Sequence, residues 1–249
     1  MLPPCEPTAI RDELRRILDA LPDASAGADA ADPDDAGQPS LPTLATALEE
    51  ALDALAQRIH VDCASSLVAA QPDLDRLGDH VLELLERLTL RARQLRADAE
   101  AQDLGGLLLA LACCVVRSGG ELSHLQPVVN AAAECANRER DPVQIRVLYH
   151  MTDDIARGLS ARFSGAAPGT ERFELWRTLL INRAIIATRT LEPQLMEPAF
   201  DALLEELPAD APGFFREGMR QMALLSYPPA VRELMRRYHD ARGGNERLH

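Results

Sequence analysis

Glu121 and His124 have the Glu-x-x-His spacing with which helical bundles hold a di-iron centre, and His150 and Asp154 stand one helical turn apart, a geometry compatible with a metal ion. His60 and Cys63 share an i, i+3 relation. A di-iron bundle needs two Glu-x-x-His pairs and two further glutamates, and the chain has one pair. Ser123 with Gln126 matches a capping box, which would leave Glu121 outside the helix. His150 is rotated about 200° from Leu148 around the helix axis, so it falls on the solvated face, where a simple His–Asp contact is the plainer reading. No second pair matches His60 and Cys63. The expectation is therefore no bound metal and no cofactor.

Nucleophilic chemistry is equally thin. There is no Gly-x-Ser-x-Gly elbow and no cysteine-protease signature. All 26 basic residues are arginine. Without lysine the chain can form no Schiff base from a side-chain amine and no Walker phosphate loop, which argues against pyridoxal-phosphate enzymes, P-loop nucleotidases and protein kinases. Gly105-Gly106 and Gly119-Gly120 flank an apolar run without dinucleotide-binding spacing, and both read as helix ends.

The oddest polar residues are Asn182 and Arg183, inside the apolar stretch LLINRAII. Asn182 shares a helical face with Leu175, Leu179 and Ile186, and Arg183 shares one with Trp176, Leu180 and Ala187. If that helix is central, both must be hydrogen-bonded or paired, because a lone buried charge is costly. The favoured reading is a structural network with an acid from a neighbouring helix. The sharper one is a pocket for a small anion, with Arg183 as the clamp and Trp176 as a wall.

These residues must be positioned by helices. Ala, Leu, Arg and Glu dominate, aromatics make up 4%, and the strand-favouring Val, Ile and Thr are sparse. The fold class expected is all-α: an array of about ten antiparallel helices, an irregular α-solenoid or helical bundle. Residues 1–22 read as an N-terminal amphipathic helix with Ile10, Leu14, Ile17, Leu18 and Leu21 on one stripe. Residues 23–40 hold five Asp and no base and read as an acidic flexible linker. An all-helical domain follows over 41–242, with a sub-boundary near 164–170, and 243–249 form a flexible tail.

Within that domain, leucine stripes predict one long helix from about Ser40 through Cys63 and Leu67, and a second over Leu74 to Leu95. Asp103 introduces an almost wholly apolar helix to Val116, the mark of a central element. Further helices start at Ser123, at Asp141-Pro142, at Phe173, near Pro193, at Asp210 and at Pro228-Pro229.

The net charge of −13 argues against bulk nucleic acid and anionic membrane surfaces as partners. The longest uninterrupted apolar run is about half of a membrane span. Five cysteines make no disulfide framework and suit a reducing, cytoplasmic setting. The leading functional reading is a non-enzymatic cytoplasmic interaction or scaffold protein. Its partner would be another protein or a second copy of itself, met through Ile10, Leu14, Ile17, Leu18 and Leu21 or through Phe214, Phe215, Met219 and Met222. The stripe could equally fold back on its own body, and the plainer reading of the aromatic and methionine cluster is core. The alternative is a helical binding module or enzyme for a small anionic ligand, centred on Asn182 and Arg183.

Overall fold

The computed structural model describes residues 2–21, 39–64 and 72–243; the acidic tract before Pro39, the continuation of the first long helix through Leu67, the Cys63 side chain and the tail after Gly243 lie outside the described residues. Among the described residues there are ten helices and no strand: α1 (Pro7–Ala20), α2 (Leu41–Ala64), α3 (Pro72–Gln94), α4 (Asp98–Arg117), α5 (Gln126–Arg138), α6 (Pro142–Phe163), α7 (Glu171–Thr190), α8 (Pro193–Glu206), α9 (Ala211–Leu224) and α10 (Pro229–Gly243). The all-α expectation holds.

The chain forms two compact units, one of Met1–Arg138 with Arg157–Leu159 and one of Glu139–Ala156 with Ser160–His249. The loop at 164–170, where the sequence suggested a sub-boundary, lies inside the second unit. Its flanks are tied together: Phe163 stacks on Trp176 with ring centroids 6.1 Å apart, and Ser164 donates to the Glu206 carboxylate at 2.9 Å.

In the first unit α4 is the central element, contacted by α1, α3 and α5, while α2 packs on α1 and α3. Every residue from Leu104 to Val116 is buried, as all-round apolarity requires. α1 lies on this core in cis: Ile10, Leu14 and Ile17 are fully buried, and Arg16 bridges Glu13 and Asp103 at the rim. A short helix alone is marginal in water, and this packing is what fixes it.

α4 begins at Asp98, five residues before Asp103 where the sequence placed its start. The preceding helix stops at Arg96, which takes a left-handed backbone (φ 57°) while the Ala97 N–H donates to the Ala92 carbonyl at 2.9 Å. That is a Schellman closure without glycine, so no residue type advertised it. Gly105-Gly106 consequently fall inside α4 and do not end it. Gly119 (φ 83°) does end it, with Gly120 N–H bonded to Val115 O at 3.0 Å. A side chain at Gly120 would collide with Val115 and Leu74, so that glycine is fixed by packing.

The second unit packs α7 on α8, α9 on α10 and α10 on α8. Its cap residues largely follow the sequence. Asp141 accepts from Val143 N–H at 3.0 Å and Thr170 from Phe173 N–H at 3.2 Å, each closing a helix N-terminus. Pro193 opens α8, but Pro198 sits within that helix and does not interrupt it. α7 ends on Leu191, a second non-glycine residue with a left-handed backbone (φ 60°).

Candidate functional site

Arg183 lies 5% exposed on α7, beside Asp153 of α6. Its Nε and Nη2 reach the same carboxylate oxygen, Oδ1, at 2.8 and 2.5 Å. The Tyr149 hydroxyl, one turn earlier on α6, donates to that oxygen at 3.4 Å. Burial, followed by the Asp153 charge, raises the Tyr149 pKa, so the phenol stays protonated and can keep donating. Arg183 is thus paired with an acid from a neighbouring helix, Asp153.

Trp176 stacks on Phe163 and donates its indole N–H to Glu206 at 3.4 Å. Arg172 lies over the other partner of that stack, 5.3 Å from the Phe163 ring centre. The Trp176 ring is thereby held against α6 and α8. Asn182 is half-buried, and its side-chain nitrogen is shielded from solvent with no hydrogen-bond partner among the described residues.

The proposed docking residues divide by burial. Ile10, Leu14 and Ile17 face inward, while Leu18 and Leu21 are half-buried at the edge of α1. Phe215 and Met222 are core, and Phe214 and Met219 are half-buried. Phe200 of α8 gathers Phe214, Phe215 and Tyr238 around it edge-on, at 5.7, 5.2 and 5.2 Å between centroids. The aromatic and methionine cluster is therefore mainly the joint between α8, α9 and α10, and the α1 stripe is mainly the joint between α1 and α4. Of the two readings the sequence left for each, burial of most of these side chains agrees with packing inside their own unit.

The exposed apolar surface lies elsewhere. Leu224 is 73% exposed, Val143 57%, Leu225 56% and Leu191 45%. These four lie at helix ends or corners of the second unit; Leu90 of α3 (51%) and Ile185 within α7 (42%) are exposed as well. Two contacts tie the start of α6 to the α7–α8 corner. Arg146 pairs with Glu192 at 2.5 Å, and Arg189 donates to the Glu139 carbonyl at 2.5 Å. Burial, then the neighbouring Arg140, lowers the Arg189 pKa, with Tyr227 and Glu139 opposing. Tyr227, Pro228 and Pro229 complete the α9–α10 corner. Prolines there cost nothing in lost helix bonds and stiffen the corner. The sequence carries a signal for this corner, Leu224-Leu225 separated by two residues from the Pro228-Pro229 turn.

The metal candidates come apart. His124 precedes α5, whose first residue is Gln126, so Ser123 does not open the helix as a capping box. Instead Asp75 of α3 accepts from Glu121 N–H at 2.7 Å, and Asp79 from the N–H groups of Ser123 and His124 at 2.8 and 3.1 Å. The His124 ring meets Glu86 at 2.8 Å. His150 is exposed, as expected, and His60 is exposed as well. No group of three or more His, Cys, Asp or Glu positioned to hold a metal occurs among the described residues. α4 is long and apolar enough to cross a membrane, yet 78% of its apolar window is buried within the protein, the position of a core helix. Comparisons of the chain with protein-family models, with curated proteins and with solved structures find no match.

Proposed function

We propose that this chain is a non-enzymatic helical interaction protein, working in the reducing cytoplasm, whose contact surface is the apolar end of the second unit. The observation that carries this reading is the exposure of Val143, Leu191, Leu224 and Leu225, each at a helix end or corner of the second unit and each more than two-fifths exposed. Large apolar side chains scattered singly over a surface mean little, whereas several brought together mark a contact site. The prolines and the Arg146–Glu192 and Arg189–Glu139 bonds hold these corners in place, so a partner would meet a surface that needs little ordering. Cys113, Cys114 and Cys135 are buried and form no disulfide among the described residues, in keeping with a reducing compartment.

The partner is another protein or a second copy of the chain. Full-length protein and the double variant Leu224→Glu, Leu225→Glu would be compared by sedimentation velocity and by affinity capture from the native cell. Both positions are exposed, so the variant should melt like the wild type. It should also lose either the dimer or a captured partner. Monomeric behaviour of both proteins together with identical capture would reject this surface.

A further inference from the structure

Gly105 has no packing reason to be glycine. It lies in the interior of α4, where glycine weakens a helix relative to alanine. Its neighbour Gly106 is explained, because Leu2 would lie 3.3 Å from an added Cβ. A Cβ on Gly105 would meet nothing within 4 Å, although Gly105 itself is buried. Buried and yet with open space where a side chain would stand, it marks the floor of a half-open cleft.

That space is a trough with α4 as its base and α3 and α5 as its walls. One part, of about 560 Å³, runs over Ala101 and Gly105 to Asp98 and Arg138. A smaller part, of about 120 Å³, runs over Gly105 and Leu108 to Glu86 and Asn130. Arg93 on one wall and Glu134 on the other line both parts. Their side chains meet across the trough, Arg93 Nη2 lying 2.8 and 2.7 Å from the two Glu134 oxygens. Both are close to half exposed, so this pair has little of its own stability to lose on opening.

We infer that the trough binds a small zwitterion of the α-amino-acid class, its carboxylate on Arg93, its ammonium on Glu134 and its apolar side chain on the Ala101–Gly105–Leu108 floor. A guanidinium and a carboxylate already matched to each other present the complement of a molecule carrying both charges. Such a ligand exchanges one ion pair for two. The floor offers it a small apolar surface at Ala101, Gly105 and Leu108, flanked by the polar Asp98 and Gln102 of the same helix. This site is separate from the apolar end of the second unit and does not depend on it.

Isothermal titration of the full-length chain with the proteinogenic L-amino acids tests the inference, with N-acetyl-L-leucine and L-leucinamide as probes lacking one charge each. Saturable binding of at least one apolar amino acid is expected, with at least tenfold loss for the matching probe that lacks the ammonium or the carboxylate. Arg93→Gln and Glu134→Gln, both at partly exposed positions, should each weaken binding at least tenfold, and Gly105→Val should abolish it while circular dichroism shows an intact fold. Absence of binding by every amino acid would overturn the proposal. So would binding of a single-charge probe as tight as that of its parent amino acid, or binding that Arg93→Gln and Glu134→Gln leave unchanged; these two variants decide the matter if Gly105→Val fails to fold.

Discussion

The first unit contains no aromatic residue, whereas the second holds all nine; the first holds all five cysteines, and the second none. Two routes to a helical core thus stand in one chain. The first unit packs leucine, alanine and valine around α4, where contacts are non-directional and side chains of similar volume can replace one another at modest cost. The second unit relies on rings set edge-to-face and on the buried Arg183–Asp153 pair, both of which demand particular geometries. An aliphatic core secures a fold; rings and a buried ion pair also restrict which arrangement is adopted. It is the second unit, with the more directional interior, that presents the apolar end.

The sharpest way to break this comparison is Arg183→Met, which removes the guanidinium from the buried Asp153 carboxylate. A loss of about 3–5 kcal/mol is expected, confined to the second unit. Trp176 is the sole tryptophan and lies in that unit, so its fluorescence follows this unfolding alone. Adding Asp153→Asn should recover part of the loss. If far-UV circular dichroism shows both units melting earlier together, the two cores are not energetically separate.

Leu109→Ala applies the corresponding test to the first unit. The side chain is fully buried in α4, and its truncation should cost about 2–5 kcal/mol, the spread reflecting how far the neighbours can close the cavity. Urea unfolding followed by circular dichroism should move, and the Trp176 transition should not. A shift in both would again argue against separate cores.

Alkaline pH should separate the units by a smaller margin. Burial, chiefly, pushes the Cys114 thiol from its ordinary value up to about 11. A raised folded-state pKa means that the associated stability is fully present below the ordinary thiol range and is lost as pH climbs toward 11. The first unit should therefore lose about 2–3 kcal/mol between about pH 9 and pH 11, and Cys114→Ala should remove that dependence. The urea midpoint measured against pH checks it; an unchanged slope in the variant would assign the effect to other groups.

The smallest expected effect has the opposite sign. Gly105→Ala should stabilise the first unit by about 1 kcal/mol, since the methyl meets open space and improves the helix. Gly120→Ala, with Val115 and Leu74 in the way, should destabilise it. Thermal melts of the two variants provide the check.

Much of the architecture was legible because stripe and cap signals agreed. Ile10, Leu14 and Ile17 repeat at helical spacing and are buried together, and Asp141-Pro142 opens α6 as its residue types dictate. Where the reading slipped, the deciding groups were distant in sequence or of an uninformative type. Arg96 closes α3 in a conformation usually left to glycine, which hid the true start of α4. Ser123 looked like a cap, but the carboxylates of Asp75 and Asp79, more than forty residues away, take the loop N–H groups instead. Arg183 was singled out by its apolar neighbours; its partner Asp153 was not, because only tertiary packing brings α6 beside α7. Periodicity shows that a face is apolar but not whether the chain itself covers it, so the stripes of α1 and α9 resembled docking surfaces.

Leu191 carries two burdens at once. Its backbone is held left-handed, where glycine or asparagine would sit without strain, and its side chain projects into water. For a solitary folded molecule both count against leucine. Each would be offset if the same conformation aimed that isobutyl group into the surface of another chain, making the corner between α7 and α8 a rigid peg whose strain is already in place before the encounter.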